Sequence, residues 1–410
     1  MKSRQLLQLT AASLLAMSVS TAQAEGLDSV ILKLNGHVSA IGAVVDQSNL
    51  DGLDHGVLAI DSGFSGSVSL PIDGFGEIGM RGALDIDYAT NFDSFLNDAG
   101  ASNILEEAWL YWDSDLGRVQ LGLQDGAADI LGLGVPSVTQ SIRVDNPEVF
   151  LLGYPCSAFC SSDPQQPGSL FSPNGMQLRS DIHGSDDYLK IMYVSPDLSG
   201  LHVAVSYAPD GTRDPNQLFG ADEINEQGDV WDVAANYLRR VGELDFGLSV
   251  GYVKGTNVNN PSPGFWGDLE EIGAAARLGY QEWTVGAAYR QTNVMGGGPV
   301  TKGFNANVYD GMYTDIWSFG ATYETGPWMF GANYVFADAE MFFGDHQEGS
   351  GLQFAGAYTI DENFRLSAGY QSFQFDGPNG SCVTDTGGVG FPNCDTMDGN
   401  VGYIETTYSF

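Results

Sequence analysis

The stretch Gly117-Arg-Val-Gln-Leu-Gly-Leu-Gln124, followed by Asp125-Gly-Ala-Ala-Asp129, decides how the rest of the chain is interpreted. The first part alternates like a β-strand, and the second part ends that alternation. The next alternating run begins only near Asp186, after about sixty residues, and a connection of that length is usually functional or disordered. If the strand belongs to a closed barrel, segment 125–184 either projects into solvent or folds into the lumen and narrows it.

Alternation with a period of two continues through nearly the whole chain and predicts sixteen strands. The predicted strands are 30–45, 57–70, 75–89, 104–114, 117–124, 186–195, 200–208, 228–240, 243–254, 268–280, 282–292, 313–325, 327–337, 349–360, 363–376 and 399–410. Their connections are alternately short and long, as in barrels with short periplasmic turns and long extracellular loops. We therefore expect an all-β, sixteen-stranded antiparallel transmembrane barrel whose third loop, 125–184, folds inward as a constriction.

Aromatic residues occupy both ends of several strands in the phase predicted to face outward. Examples are Trp283 with Tyr289, Trp317 with Tyr323, and Trp328 with Phe336. Aromatic girdles at the two membrane interfaces produce this pattern in strands that cross lipid. The first strand instead carries the small residues Gly36, Ala40 and Gly42 in this phase, which favours a contact between subunits.

The first 24 residues have the pattern of a cleaved signal peptide. Lys2 and Arg4 precede an apolar stretch, and Ala22-Gln23-Ala24 supplies a small-x-small cleavage site. The apolar stretch is too short for a membrane-spanning helix. Because no linker divides the remainder, we expect residues 25–410 to form one exported domain.

The chain is strongly acidic, with 52 Asp and Glu against 16 Lys and Arg, a formal net charge of −36 and a pI near 4.1. This charge argues against binding nucleic acid, which requires a cationic surface. Two interpretations remain: an acidic surface in water, or acidic outer loops and an acidic lumen that favour cations. Asp186-Asp187 and Asp222-Glu223 could hold a structural Ca²⁺, although they lack EF-hand spacing and such pairs are usually solvated. No other cofactor is expected.

The four cysteines form two local pairs, Cys156 with Cys160 and Cys382 with Cys394. Four cysteines allow three connectivities. Each pair lies within one predicted loop, so we expect two local disulfides in an oxidising periplasm. A zinc site is the weaker alternative, because no His lies nearby. The five histidines are scattered, and the sequence has neither an HExxH motif nor a Gly-x-Ser-x-Gly elbow, so we expect no enzyme.

The final strand resembles that of the outer-membrane barrel superfamily. Gly402, Ile404, Thr406 and Tyr408 share one face, and the chain ends on Phe410. In that superfamily the terminal aromatic strand is read by the barrel assembly machinery. The resemblance thus implies that Tyr408 and Phe410 form an assembly signal.

A second resemblance is carried by Glu107-Ala-Trp-Leu-Tyr-Trp112 and the two stretches quoted at the start. These are similar to the fourth strand, fifth strand and loop-three entry of general bacterial porins, especially the alphaproteobacterial type. The resemblance implies a homotrimer in the Gram-negative outer membrane, surrounded by lipid and lipopolysaccharide. Each barrel would enclose a water-filled pore for passive diffusion of ions and small hydrophilic solutes. The third loop here is longer than in that family and contains Pro and Cys.

A pore filter acts through its diameter and through rings of charge. The candidate acids on the loop are Asp125, Asp129, Asp145 and Glu148, and the candidate bases are Arg81, Lys33, Arg118 and Arg143. Acids facing bases across a constriction would create a transverse field. Alternatively, the acids are solvated and the bases pair locally, for example with Asp85 or Asp87. Since bases are few, we expect a negative lumen and a preference for cations.

Two other functions stay open at this point. A substrate-specific channel would carry a lumenal binding site, and the inward-phase residues Phe373 and Tyr403 could belong to an aromatic track. A secreted acidic adhesin with a sandwich fold would instead fold in water without lipid.

Overall fold

The computed structural model describes residues 30–47, 56–86, 88–90, 105–145, 178–185, 188–210, 226–258, 268–295, 298–299, 313–340, 346–376 and 397–410. The predicted signal peptide (1–24), all four cysteines, Glu148 and both candidate calcium pairs lie outside these residues. The predictions made for them therefore stay predictions.

Sixteen long strands form one sheet in the described part of the chain. They are β1 (Ile31–Gln47), β2 (Gly56–Ile72), β3 (Gly76–Asp85), β4 (Leu105–Ser114), β5 (Gly117–Gln124), β6 (Tyr188–Val194), β7 (Leu201–Asp210), β8 (Glu226–Val241), β9 (Leu244–Val258), β10 (Glu270–Tyr280), β11 (Trp283–Thr292), β12 (Thr314–Thr325), β13 (Trp328–Glu340), β14 (His346–Thr359), β15 (Phe364–Asp376) and β16 (Met397–Ser409). Tyr88–Thr90 continues β3 after a break and pairs with β2.

Two small elements accompany the sheet. A five-residue helix, α1 (Ala127–Leu131), follows β5, and Val294–Met295 pairs with Gly298–Pro299 in a short hairpin. None of the described residues forms a helix long and apolar enough to cross a membrane.

Each strand pairs antiparallel with its sequence neighbour, and β1 pairs with β16 to close the barrel. At this seam the backbone N–H of Gly36 donates to the carbonyl of Phe410, and the N–H of Phe410 donates to the carbonyl of Gly36, both at 3.0 Å. Closure gives every strand two neighbours, which satisfies backbone polar groups that lipid could not solvate. The predicted sixteen-stranded antiparallel barrel is confirmed.

The outer surface has the predicted alternation, with apolar side chains exposed and their neighbours in sequence facing inward. Aromatic pairs lie near both strand ends, with ring centroids 4.6–4.8 Å apart: Trp283–Tyr323 and Trp328–Tyr358 beside short turns, and Tyr289–Trp317 and Tyr207–Trp231 toward the long connections. Aromatic rings at both ends of lipid-facing strands form the girdles of a membrane barrel.

Several strands are longer than the alternation predicts, and they extend at the end next to the long connections. Strand β9 continues to Val258, and the β13–β14 ladder reaches Glu340 and His346. The additional residues include polar ones, which weakens the apolar alternation there. Backbone pairing continues past the lipid because a ladder requires hydrogen bonds, not apolar side chains.

Gly36 faces outward at the β1–β16 seam, where we expect a larger side chain to destabilise the barrel. A β-carbon added to Gly36 would lie 2.8 Å from Cζ of Phe410 and 2.9 Å from the carbonyl oxygen of Gly63. We expect Gly36→Val to destabilise the barrel by about 1–3 kcal/mol, as overpacking usually does. The measurement is the temperature at which the folded band converts to the unfolded band on gels. Gly82→Val is the control, because its nearest new contact is an ordinary 3.7 Å. Equal midpoints for both variants would contradict the prediction.

Candidate functional site

The segment after β5 enters the lumen and packs against the inner wall. Helix α1 buries Ala127, Ala128 and Leu131 in a cluster with inward residues of the wall. The wall residues of this cluster are Met192, Ala204, Ala208, Val230, Ala234 and Val253. Most of them are small, so the loop backbone can approach the strands closely. The inward direction predicted for the third loop is therefore observed in its described parts, 125–145 and 178–185.

A row of inward glycines on β9–β14 gives the loop its path across the wall. This glycine groove consists of Gly247, Gly251, Gly273, Gly286, Gly320, Gly331 and Gly351. A β-carbon at any of them would lie less than 3.0 Å from an atom of the loop, which is closer than side chains tolerate. The described part of the loop therefore lies flat against this side of the barrel.

Polar side chains of the same wall satisfy the loop backbone. Four hydrogen bonds follow the loop from strand to strand: Asn236 to the carbonyl of Leu131 (3.2 Å), the N–H of Leu133 to Ser249 (3.0 Å), Arg277 to the carbonyl of Gly134 (2.6 Å) and Asn333 to the carbonyl of Pro136 (2.8 Å). The loop has no strand partner, and a buried backbone group without a partner costs free energy. These side chains take the place of a β-ladder.

Residues 139–145, which we call the loop tip, are fixed by two buried side chains, Gln353 on β14 and Glu405 on β16. The Gln353 amide nitrogen donates to the carbonyl of Ile142 (2.8 Å), and its oxygen accepts from the N–H of Val144 (3.0 Å). The same nitrogen also donates to the hydroxyl of Thr139 (3.0 Å). Glu405 accepts from the N–H of Ser141 at 2.9 Å. Gln353 thus pairs with the loop as a peptide group of a neighbouring strand would.

The base of the loop is held by two buried charged groups. Asp232 accepts from the N–H of Ala128 (2.9 Å) and from the hydroxyl of Ser185 (2.7 Å), so one carboxylate ties the outgoing and returning limbs together. Glu271 accepts from the N–H of Gly184 (3.0 Å) and forms a fully buried ion pair with Arg290. Hydrogen bonds to both carboxylates, and the ion pair of Glu271, offset part of the cost of burying these groups.

The acids Asp125 and Asp129 lie at the start of the loop, half-buried and near Asp181 of the returning limb. Burial, reinforced by the negative charges of Asp125 and Asp181, raises the pKa of Asp129 well above its usual value. Burial also raises the pKa of Asp125, despite the opposing charges of Lys190, Arg179 and Arg81. These carboxyls therefore hold protons more tightly than solvated ones.

The other loop acids are compensated within the loop. Asp145 is only 2% exposed and lies 2.8 Å from Nη2 of Arg143. Burial opposes ionisation of Asp181, but Arg179, 2.7 Å away, together with Arg290 and Arg143, outweighs it and lowers the pKa. Asp145 and Arg143 thus lie together on the loop instead of on opposite sides of the pore.

The predicted wall bases face inward at different heights. Arg81 lies on β3, with Nε 3.4 Å from Oε2 of Glu107 and its guanidinium 5.9 Å from the ring centre of Trp109. Arg118 pairs with Asp113 at 2.5 Å beside the β4–β5 turn, which places it away from the loop acids. Lys33 is exposed near the start of β1. Arg81 is thus the predicted base that shares the level of the loop acids.

The two aromatic residues of the proposed solute track are buried. Phe373 and Tyr403 are each 4% exposed, and the Tyr403 hydroxyl accepts a hydrogen bond from Gln353 at 2.5 Å. They pack beneath the loop tip instead of lining the open lumen. Among the described residues, no group of three His, Cys, Asp or Glu is arranged to hold a metal ion.

Five residues that position the loop were not predicted from the sequence: Asp232, Glu271, Arg290, Gln353 and Glu405. The available signal was their inward phase. Each is a polar or charged residue whose inward neighbours on the same strand, two positions away, are small, apolar or uncharged. Glu405, for example, lies between Tyr403 and Thr407. The sequence alone could have marked them as lumen residues, but their loop partners depend on the fold.

The contacts of Gln353 predict that its loss loosens the loop tip. Gln353→Ala would leave the buried N–H of Val144 without its partner, at a cost of about 1–3 kcal/mol, and would leave the carbonyl of Ile142 with the hydroxyl of Thr139 alone. We expect more frequent brief closures in single-channel recordings, since the freed tip can enter the open lumen. The control is Gln371→Ala, because Gln371 is the buried cross-strand neighbour of Gln353 and none of its observed hydrogen bonds joins it to the loop. Identical closure rates in the two variants would contradict this role.

Comparisons with known proteins agree with this geometry. The family profile described as Gram-negative porin matches residues 10–378. A search of curated proteins gives no match. Among solved structures, the anion-selective porin from Comamonas acidovorans aligns with a TM-score of 0.53 at 14% identity, covering 93% of this chain and 100% of that one. The trimer form of OmpT, an outer membrane protein of Vibrio cholerae, gives a TM-score of 0.53 at 12% identity with the same coverage.

A further solved structure, a porin refined at 1.8 Å resolution, aligns with a TM-score of 0.51 at 14% identity, again over 93% of this chain and 100% of that one. At such identities the structural likeness shows the fold alone. The family match extends over most of the sequence, and the fold is the closed barrel described above. The chain therefore belongs to the Gram-negative porin family, and its barrel is an outer-membrane channel.

Proposed function

We propose that this porin lets ions and small hydrophilic solutes diffuse passively and that it prefers cations. The observation that carries the proposal is the group of acids at the loop entrance. Asp125, Asp129 and Asp181 lie together there. Glu107 of β4 lies close enough to Asp125 for the two negative charges to repel each other. A negative constriction attracts cations and repels anions.

The described bases at the same level offset these acids only in part, because none of them lies at ion-pair distance from Asp125 or Asp129. Arg143 and Arg179 are each paired with an aspartate of the loop, and Arg81 lies beside Glu107. The whole chain also carries a formal charge of −36. The solved porin from Comamonas acidovorans is described as anion-selective, so the shared fold does not decide the sign of selectivity.

We further propose that the protein is a channel and not an enzyme, and that it binds no solute tightly. The burial of Phe373 and Tyr403 argues against the track of aromatic residues that a substrate-specific channel would use. That second function predicts concentration-dependent block of the current by a particular sugar or acid. Passive diffusion predicts none.

We also propose a homotrimer joined through β1, β2 and β16. On the outer surface these strands form an apolar depression, and its outward-facing residues are Gly42, Val44, Gly56, Leu58, Gly402 and Ile404. Small residues that form a depression allow close protein contact. A trimer form is known for the structurally similar OmpT of Vibrio cholerae. Lipid and lipopolysaccharide would cover the remaining surface, and the barrel assembly machinery would recognise Tyr408 and Phe410.

The reversal potential in a potassium chloride gradient tests the sign of selectivity. We expect potassium preference, which falls as pH is lowered because Asp125 and Asp129, whose pKa values are raised, take up protons earlier than ordinary aspartates. Asp129→Asn should reduce the preference at neutral pH and weaken its pH dependence. Asp73→Asn, in the β2–β3 turn, is the control. A reversal potential that favours chloride would refute the proposal.

The outer depression gives a separate test of the trimer. A β-carbon at Gly402 would meet nothing within 4 Å, so Gly402→Trp leaves the barrel intact while filling the contact surface. We expect a shift from trimer to monomer, measured by native mass spectrometry in detergent. Ala287→Trp, on the outward face of β11, should leave the trimer unchanged. If both variants remain trimeric, these strands are not the interface.

A further inference from the structure

The charged residues of the inner wall differ between the two ends of the barrel. Seven inward bases lie within six residues of the short-turn end of their strands: Lys33, Arg81, Arg118, Lys190, Arg240, Arg277 and Arg365. Short turns mark the periplasmic side of such barrels. Acids also occur at this end, for example Glu77 and Asp113, so the periplasmic half carries both signs.

Three of these bases have no carboxylate at ion-pair distance within the described ranges. Arg277 donates to the carbonyl of Gly134 at 2.6 Å, so it lies directly against the loop. Arg365 contacts the sulfur of Met329 at 3.2 Å, and Lys33 is exposed. Their positive charge is therefore not cancelled locally, unlike that of Arg118, which pairs with Asp113.

The extracellular half is acidic. The loop acids, Glu107, Asp61 and Asp85 all lie at or above the level of the loop, and the bases Arg143 and Arg179 at this level are paired with loop aspartates. The constriction thus separates an acidic mouth from one of mixed charge with unpaired bases.

We propose that this axial charge gradient makes the channel rectify, with larger current when the extracellular side is positive. In that direction cations enter through the acidic mouth, which concentrates them, and chloride enters past the periplasmic bases. Both ions then accumulate in the lumen, and the conductance rises. The opposite voltage draws both ions out of the lumen and depletes it. The inference rests on the proposed cation-preferring channel and adds the voltage polarity at which its current is larger.

The effect should depend on salt, because it arises from charge and not from shape. The screening length is about 10 Å at 0.1 M salt and about 3 Å at 1 M. The gradient therefore acts across a pore of molecular width only in dilute salt. An asymmetry caused by the shape of the loop would persist at 1 M.

The test is a current–voltage curve from single channels of known orientation. A biotin-acceptor peptide inserted in the 326–327 turn marks the periplasmic mouth, since added streptavidin then blocks from that side only. In 0.1 M potassium chloride we expect the current with the extracellular side positive to exceed the reverse current by roughly 1.3-fold or more, and the ratio to approach one at 1 M.

Two variants distinguish the effect of charge on the inner wall from the effect of charge on the outer face of the barrel. Lys33→Gln with Arg365→Gln removes two unpaired periplasmic bases, neither of which is hydrogen-bonded to the loop, and should bring the ratio in 0.1 M salt nearer to one. Arg239→Gln removes the same kind of charge at the same end but on the outer face, where Arg239 donates to Tyr237 at 3.1 Å. It should leave the ratio unchanged.

The outcomes are distinct for the two proposals. A symmetric curve in dilute salt, a ratio that persists at 1 M, or an equal effect of the inner and outer variants would overturn the charge gradient while leaving cation preference intact. A reversal potential favouring chloride would overturn the proposed function itself. Folding of each variant is checked by its heat-modifiable band.

Discussion

Backbone hydrogen bonding in lipid is the constraint on which this structure depends. A strand that crosses hydrocarbon has no water to satisfy its N–H and C=O groups, so every strand requires two neighbours. Pairing of β1 with β16, completed by the reciprocal bonds between Gly36 and Phe410, meets that requirement. Once the sheet is closed, alternate side chains must face lipid or the lumen. The apolar outer surface and the polar inner wall both follow.

The same requirement reappears inside the lumen, where the third loop has no strand to pair with. Side chains of the wall, from Asn236 to Gln353, form hydrogen bonds with the loop backbone in place of a β-ladder. Glycines of the wall let the loop backbone approach closely. The loop is thus held by contacts distributed over β8–β16 and not by its own secondary structure.

Electrostatics then divides the lumen into regions with different roles. Asp232 and the Glu271–Arg290 pair are buried under the loop, where charge is used to hold backbone groups. Asp125 and Asp129 lie at the start of the loop, close to Asp181 of its returning limb. Most of the buried acids are compensated by neighbouring bases, as Asp145 is by Arg143 and Glu271 is by Arg290. A count of acids in the sequence therefore overstates the charge that an ion meets.

Alternation and turn spacing are local properties of the chain, so the barrel, its sixteen strands, the outward phase and the long third loop were all predictable from the sequence. It also placed Arg81 and Lys33 on the inner wall. It could not show that Asp145 pairs with Arg143, that Phe373 is covered, or that Gln353 and Glu405 hold the loop tip. Those contacts join residues more than 200 positions apart in the case of the tip, and only barrel closure and the path of the loop along the glycine groove bring them together.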